Sequence, residues 1–221
     1  MKVLELFAGS RSFSKVAEEL GHKTYTTDIE SFDKIDQVCD IFNFDINKLR
    51  EEFGEPDIIW ASPPCTTFSV ASIGHHWKGG NKAYIPKTKE AELGVKIVRE
   101  AIKLIYKLKP KYWYIENPRG LLRKLKVMNC NYNKFLPDHC RDTVWYCQYY
   151  NGEGINRAKP TDIWNNDIEW IPRPVCKNGN PNCDHERAPR GSRTGTQGLK
   201  NNYERSKVPY ELCREILRSI K

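Results

Sequence analysis

Two short segments of this 221-residue chain place reactive side chains at the ends of runs that read as buried strands. Asp57-Ile58-Ile59-Trp60-Ala61 leads into Ser62-Pro63-Pro64-Cys65, and Tyr112-Trp113-Tyr114-Ile115 leads into Glu116-Asn117-Pro118. In open α/β sheets, ligands and reacting groups gather where parallel strands end. A cysteine at such a place is as a rule a small buried side chain. A carboxyl delivered to the same crevice by a neighbouring strand changes that reading, because nucleophile and acid then converge. The chemistry open to the pair is covalent catalysis by a thiolate, with the carboxyl protonating the group under attack. Pro63 and Pro64 stiffen the approach to Cys65.

A third segment, Phe7-Ala8-Gly9-Ser10, closes the first apolar run. A glycine turn between a strand and a helix leaves backbone N–H groups free to face a ligand, and an acidic residue closing the second strand, here Asp28, can accept from ribose hydroxyls. The pattern also occurs in α/β proteins that bind no nucleotide. Asp45, in Phe44-Asp45-Ile46, fits either an adenine contact or a helix cap.

The elements that must position these groups follow from hydrophobic periodicity. Ser12 is placed to cap a helix whose Phe13, Val16, Ala17 and Leu20 share a face, with Gly21 as its stop. Residues 23–27 read as a strand closing on Asp28, 47–53 as a helix, 90–108 as a long amphipathic helix and 209–220 as a final helix. Residues 144–149 and 161–164 read as an antiparallel pair. Between Cys65 and the long helix, residues 66–89 lose all periodicity and carry His75, His76, Trp77, Gly79 and Gly80, the composition of a lid or binding loop. His75, His76 and Trp77 are open to two readings, contact with a nucleic acid or packing of that lid. Residues 165–207 are irregular. Strands alternating with helices predict an α/β fold with a mostly parallel sheet.

Length allows one core with a small appendage. Lys and Arg number 36 against 28 Asp and Glu, a net charge of +8 that favours a polyanionic partner. The excess clusters in residues 119–141 and 187–207, each a phosphate-tracking composition. No apolar run approaches the ~20 residues of a membrane span and no secretion signal opens the sequence, so a cytosolic protein is expected. Eight cysteines in a reducing compartment argue for thiols or metal ligands over disulfides. Cys176, Cys183 and His185 are three possible ligands of a structural zinc, with Cys140, Cys147 or His139 as the fourth. The spacing is not that of a CxxC pair and singles out no fourth ligand, so unmetallated residues are the expectation.

Together, Phe7-Ala8-Gly9-Ser10, Pro63-Pro64-Cys65 and Glu116-Asn117-Pro118, in this order and spacing, resemble the cofactor, nucleophile and acid motifs of the cytosine-C5 DNA methyltransferases, particularly the compact versions encoded by bacteriophages. The resemblance runs through residues 2–164 and returns at Lys207-Val208-Pro209. It implies a Rossmann-like S-adenosylmethionine-dependent methyltransferase fold, mostly parallel with an antiparallel C-terminal hairpin and a small irregular C-terminal insert. Cys65 is then the nucleophile and Glu116 the acid. Phe7, Ala8, Gly9, Ser10, Asp28, Asp45, Ser62 and Pro63 hold S-adenosyl-L-methionine, and the target is a flipped cytosine in DNA.

Three departures from the family shape further expectations. Members usually carry a Gln-x-Arg-x-Arg strand, and the nearest match is Ile155-Asn156-Arg157-Ala158-Lys159. Ser69, Asn117, Arg157, Lys159, Arg190 and Arg193 are accordingly the expected DNA contacts, with Gln148 another candidate. No long recognition domain is present, which leaves residues 165–207 as the available DNA-contacting insert between a core of 1–164 and a returning helix of 208–221. The third departure is the Cys176, Cys183, His185 group. A monomer is expected. The alternatives are an RNA (tRNA) cytosine-C5 methyltransferase and a non-catalytic DNA-binding module on the same fold.

Overall fold

The computed structural model describes residues 1–80, 83–129, 131–135, 139–153, 156–177, 180–185 and 201–220. Nine strands are described: β1 (Lys2–Leu6), β2 (Lys23–Asp28), β3 (Gln37–Val38), β4 (Ile58–Ala61), β5 (Trp77–Lys78), β6 (Ile85–Pro86), β7 (Tyr112–Pro118), β8 (Cys140–Trp145) and β9 (Pro160–Asn165). The helices are α1 (Ser12–Glu19), α2 (Ile46–Glu52), α3 (Ile73–His76), α4 (Lys89–Leu108), α5 (Asn202–Ser206) and α6 (Tyr210–Ser219). Seven strands form one sheet in the order β3-β2-β1-β4-β7-β9-β8, and β5 pairs with β6 apart from it. The pairings β3·β2, β2·β1, β1·β4 and β4·β7 are parallel, and β9 runs antiparallel to both β7 and β8.

Central strands buried on both faces account for the near-continuous apolar runs. Period-two alternation sends Leu4, Leu6, Ile59, Ala61, Trp113 and Ile115 to one face, where Val98, Ala101, Ile102 and Ile105 of α4 cover them. Val3, Ile58, Trp60 and Tyr114 point to the other face, beneath Phe13, Val16 and Ala17 of α1 and Leu212, Cys213, Ile216 and Leu217 of α6. Phe13 stacks on Trp60 with ring centroids 4.5 Å apart. The strand order turns back at β1, with β2 on one side and β4 on the other, so the crevice beyond the carboxyl ends of these strands is the natural ligand site. Among the described residues no helix is long and apolar enough to cross a membrane.

Three local expectations are corrected. Ser12 does not cap α1. Arg11, with φ 54°, stands at the cap position, and the first-turn N–H groups of Phe13 and Ser14 are instead taken by the carboxylate of Glu5 on β1, at 3.3 and 2.8 Å. Residues 146–149 do not continue a strand: β8 starts earlier, at Cys140, and ends at Trp145, because Tyr146–Tyr149 coils into a 3-10 turn that buries Tyr146, Cys147 and Tyr149. The loop of residues 66–89 is partly structured, with α3 and the β5–β6 hairpin.

Candidate active site

β4 and β7 are neighbours in register, with Ala61 opposite Ile115. The chain leaving β4 reaches Cys65 while β7 is still running, so Glu116 lies beside the same crevice. Asn117 holds the two together: its side-chain nitrogen donates to the Pro63 carbonyl at 2.9 Å. Glu116 is 5% exposed, its Oε1 accepts from the Tyr146 hydroxyl at 2.8 Å, and Lys159 Nζ stands 3.9 Å from the same oxygen. Lys159 also lies over the Tyr146 ring, 4.6 Å from its centroid, and donates to the Arg205 carbonyl at 3.2 Å. Burial pushes the Cys65 thiol pKa up, Lys159 and Arg205 pull it back, and Glu116 adds to the rise. Burial also lowers the pKa of Lys159, against the pull of Glu116 and Cys65. A thiol, a carboxyl, a phenol and an ammonium therefore share one sparsely hydrated crevice.

At the end of β1, Phe7 has φ 59° and Gly9 φ 42°, a left-handed path in which the chain turns sharply before α1. Ala8 N donates to the Thr27 carbonyl at 2.9 Å and Gly9 N to Asp28 Oδ2 at 2.9 Å. Asp28 Oδ1 accepts from Glu30 N. A Cβ on Gly9 would meet only Asp28 Oδ2, at 3.8 Å, so the mouth of the turn is otherwise open. A bare turn flanked by a carboxylate fits the ribose of a nucleoside cofactor. Ser62 lies at the adjacent strand end, its Oγ accepting from Trp60 Nε1 at 2.8 Å, and Pro63 is buried behind it. Asp45 caps α2, accepting from Asn47 N and Lys48 N at 2.9 and 3.1 Å. The cap reading of this residue is thus present in the geometry, and Asp45 Oδ2 makes no hydrogen bond within that cap.

Past Cys65 the chain tightens at once. Phe68 N and Ser69 N both donate to the Cys65 carbonyl, and Ser69 Oγ meets Ser72 Oγ at 3.0 Å. Trp77 packs on Phe68 and donates from Nε1 to the Thr67 carbonyl at 2.8 Å, while His76 Nδ1 meets Thr88 Oγ1 at 2.8 Å. Trp77 and His76 therefore pack the lid, and His75 is exposed beside them. Leu121 N donates to the Phe68 carbonyl at 2.8 Å, tying this loop to the chain leaving β7.

Arg157 and Lys159 both turn toward α5: Arg157 Nη1 donates to the Glu204 carbonyl at 3.2 Å, as Lys159 does to Arg205. Lys159, expected as a phosphate contact, is thereby brought to Cys65 and Glu116. Arg190 and Arg193 lie outside the described residues. Gln148 faces Cys147 and Cys183 instead of the crevice. Cys147, Cys176, Cys183 and His185 come together, whereas Cys140 donates to Asn165 and His139 lies against Trp113. Tyr146 and Glu5 carry no signal in the sequence, since each acts through a partner fixed only by strand register.

Residues 1–135 match the C-5 cytosine-specific DNA methylase family. A Frog virus 3 (isolate Goorha) protein named "Probable DNA (cytosine-5)-methyltransferase" is 28% identical over 98% of this chain and 99% of its own length. Among solved structures, a prophage-encoded protein of E. coli named as a DNA modification methyltransferase superposes with a TM-score of 0.55 at 14% identity, covering 80% of this chain and 52% of that one. The Entamoeba histolytica methyltransferase EhMeth does so at 0.53 and 14%, covering 79% and 56%. The chain thus spans about half the length of those two solved structures, which share its fold.

Proposed function

The chain belongs to the C-5 cytosine-specific DNA methylase family, and from that premise we propose that it methylates carbon 5 of a flipped-out cytosine in DNA through a covalent adduct on Cys65. The observation that carries this reading is the convergence of Cys65 and Glu116 at the ends of two adjacent parallel strands, with Lys159, just ahead of the antiparallel β9, beside both.

Carbon 5 of cytosine is a weak nucleophile. The Cys65 thiolate adds to carbon 6, the electrons of the C5–C6 double bond move toward carbon 5, and Glu116 protonates ring nitrogen N3. S-adenosyl-L-methionine, when bound at Phe7-Ala8-Gly9-Ser10, Asp28, Asp45, Ser62 and Pro63, supplies an electrophilic methyl group. Once carbon 5 is methylated, loss of its proton to solvent drives out the Cys65 thiolate, and N3 returns its proton to Glu116, which restores the ring and the acid. Tyr146 and Lys159 hold Glu116 in place, and the Lys159 cation favours the thiolate. Asn117 shapes the pocket: its Oδ1 is buried with no hydrogen-bond partner, an acceptor available to the exocyclic amine of a base. Ser69, on the lid, and Arg157, beside α5, would contact the strand from which the base is extruded, at a cost of a few kcal/mol in stacking and pairing. Residues 165–207, including Arg190 and Arg193, serve as the phosphate-contacting insert, and the chain works as a monomer in the cytoplasm.

The test incubates the protein with labelled S-adenosylmethionine and DNA containing 5-fluorocytosine, whose fluorine blocks the final elimination. A denaturation-resistant complex with DNA, absent in Cys65→Ser, is expected. The same label in matched RNA but not in DNA moves the substrate to RNA, and no adduct with either removes the mechanism.

A further inference from the structure

Four side chains that the methyl-transfer chemistry leaves unused meet beside the turn that follows β8. Cys147 comes from the 3-10 turn Tyr146–Tyr149, and Cys176, Cys183 and His185 from the irregular segment beyond Trp170. Their ligating atoms all lie within 4.8 Å of one another. Cys147, Cys176 and His185 are buried and Cys183 half-buried. All three cysteines are free thiols.

The geometry is close to that of a metal tetrahedron. Zinc bound to thiolates at about 2.3 Å and to imidazole at about 2.0–2.1 Å holds its ligand atoms about 3.4–3.8 Å apart. Cys176 Sγ and His185 Nδ1 are already 3.7 Å apart, and the others need move inward by no more than about an ångström. His185 is 7% exposed, yet its Nε2 has no hydrogen-bond partner and its Nδ1 meets only that soft sulfur. An imidazole buried so thinly satisfied is costly unless something else engages it. The amide groups of Asn180 and Gln148 point at sulfur, Asn180 Nδ2 at Cys176 Sγ (3.5 Å) and Gln148 Nε2 at Cys147 and Cys183 Sγ (3.9 and 3.8 Å). Such N–H donors are the outer contacts that metal-bound thiolates take.

Arg173 anchors the first part of the segment: its main-chain N–H donates to the Tyr149 hydroxyl at 2.8 Å and its guanidinium to the Gln148 carbonyl and the Glu215 carboxylate of α6. Beyond it, the described residues 174–177 and 180–185 form no helix or strand and Val175 is exposed, so little apolar burial besides the cluster itself holds this stretch to the core. We propose that Cys147, Cys176, Cys183 and His185 bind one zinc ion as a closed Cys3His site. Three thiolates and an imidazole select zinc over the hard cations, and four protein ligands leave no open position, so the site is structural. It clamps the chain ahead of Arg187, Arg190 and Arg193 onto the turn whose Tyr146 hydroxyl donates to Glu116. One ion thereby fixes both the start of the basic insert and one wall of the crevice.

Metal content of the purified full-length chain tests this without reference to activity. After expression in zinc-supplemented medium and purification under reducing conditions without chelator, elemental analysis should find about one zinc per chain. Cobalt(II) exchanged into the site should give thiolate-to-metal charge transfer and the d–d bands of a tetrahedral centre. Cys183→Ser should lose most of the metal, His185→Cys, which preserves four soft ligands, should keep it, and Cys140→Ser should be indistinguishable from the parent. Should Cys183→Ser fail to fold, the His185→Cys and Cys140→Ser pair with the cobalt spectrum still decides. A folded chain with no stoichiometric metal, an unchanged cobalt spectrum in Cys183→Ser, or a disulfide within the cluster under these conditions overturns the proposal.

Discussion

The side-chain amide of Asn117 donates to the main-chain carbonyl of Pro63 over 2.9 Å, joining the strand that carries Glu116 to the turn that carries Cys65. Asn117 is fully buried, so no water replaces this bond when it is removed. Asn117→Ala is expected to lower unfolding free energy by about 1–3 kcal/mol, the cost of an orphaned buried acceptor. It should also slow adduct formation with 5-fluorocytosine DNA, because nucleophile and acid are no longer held to one spacing. Urea unfolding and the trapping rate check the two effects, and a variant with parental stability contradicts the proposed tie.

Gly120 makes a second link between the same two segments. A Cβ at this position would stand 2.3 Å from the Phe68 carbonyl oxygen, a backbone atom that cannot rotate aside. That carbonyl already accepts from Leu121 N, so the loop after Cys65 and the chain after β7 must shift together. Gly120→Ala should therefore reduce kcat at least about tenfold, equivalent to ~1.4 kcal/mol in the barrier, with near-parental secondary structure by circular dichroism. Full activity in this variant removes the idea that the close approach positions the nucleophile.

The parallel core was readable because Val3, Leu4, Ile58, Ile59 and Trp60 lie in runs too apolar for any one-sided strand. Cys65 and Glu116 were readable because strand ends collect reactive groups, whatever the details of packing. Lys159 was not: seen only as part of a weakened phosphate motif, it reaches the crevice through the antiparallel register of β9 beside β7, a long-range pairing that no local pattern encodes. The same holds for Glu5, which replaces Ser12 at the start of α1 because a strand residue can reach a helix end in space as well as a neighbour can in sequence. Cys147 stood among three equal candidates for the fourth soft group until the turn at 146–149 buried it beside Cys183.

Asp162 on β9 is fully buried and opposite Asn117 in register, and its carboxylate takes the guanidinium of Arg123 and the Thr143 hydroxyl. Arg123 belongs to the 3-10 turn Leu122–Lys124, which the pair pins onto the β8–β9 hairpin. Asp162→Asn keeps the shape but leaves a mostly buried guanidinium without its counter-charge. The expected loss is about 3–5 kcal/mol of stability, as for a buried pair broken on one side. Denaturant titration measures it, and a loss under about 1 kcal/mol places the hairpin's stability elsewhere.

Burial raises the Cys65 thiol above its ordinary value of 9.0, so in the ligand-free enzyme the thiol form predominates near neutral pH. Only the thiolate is alkylated, and its fraction grows tenfold per pH unit while pH stays below the pKa. Alkylation of Cys65 by iodoacetamide, followed by peptide mass spectrometry, should therefore still be climbing at pH 9.0 and not have levelled off. Lys159 is the strongest influence opposing that rise, through its charge. Lys159→Met should move the alkylation profile further to alkaline pH and slow modification near pH 8 by about tenfold for each unit of displacement. It should slow methyl transfer as well, since the same change takes from Glu116 the cation 3.9 Å from its carboxylate. A profile that plateaus below pH 9 means that burial does not set the state of the thiol, and one that Lys159→Met leaves in place means that the ammonium does not poise it, so that the role of Lys159 reverts to a phosphate contact.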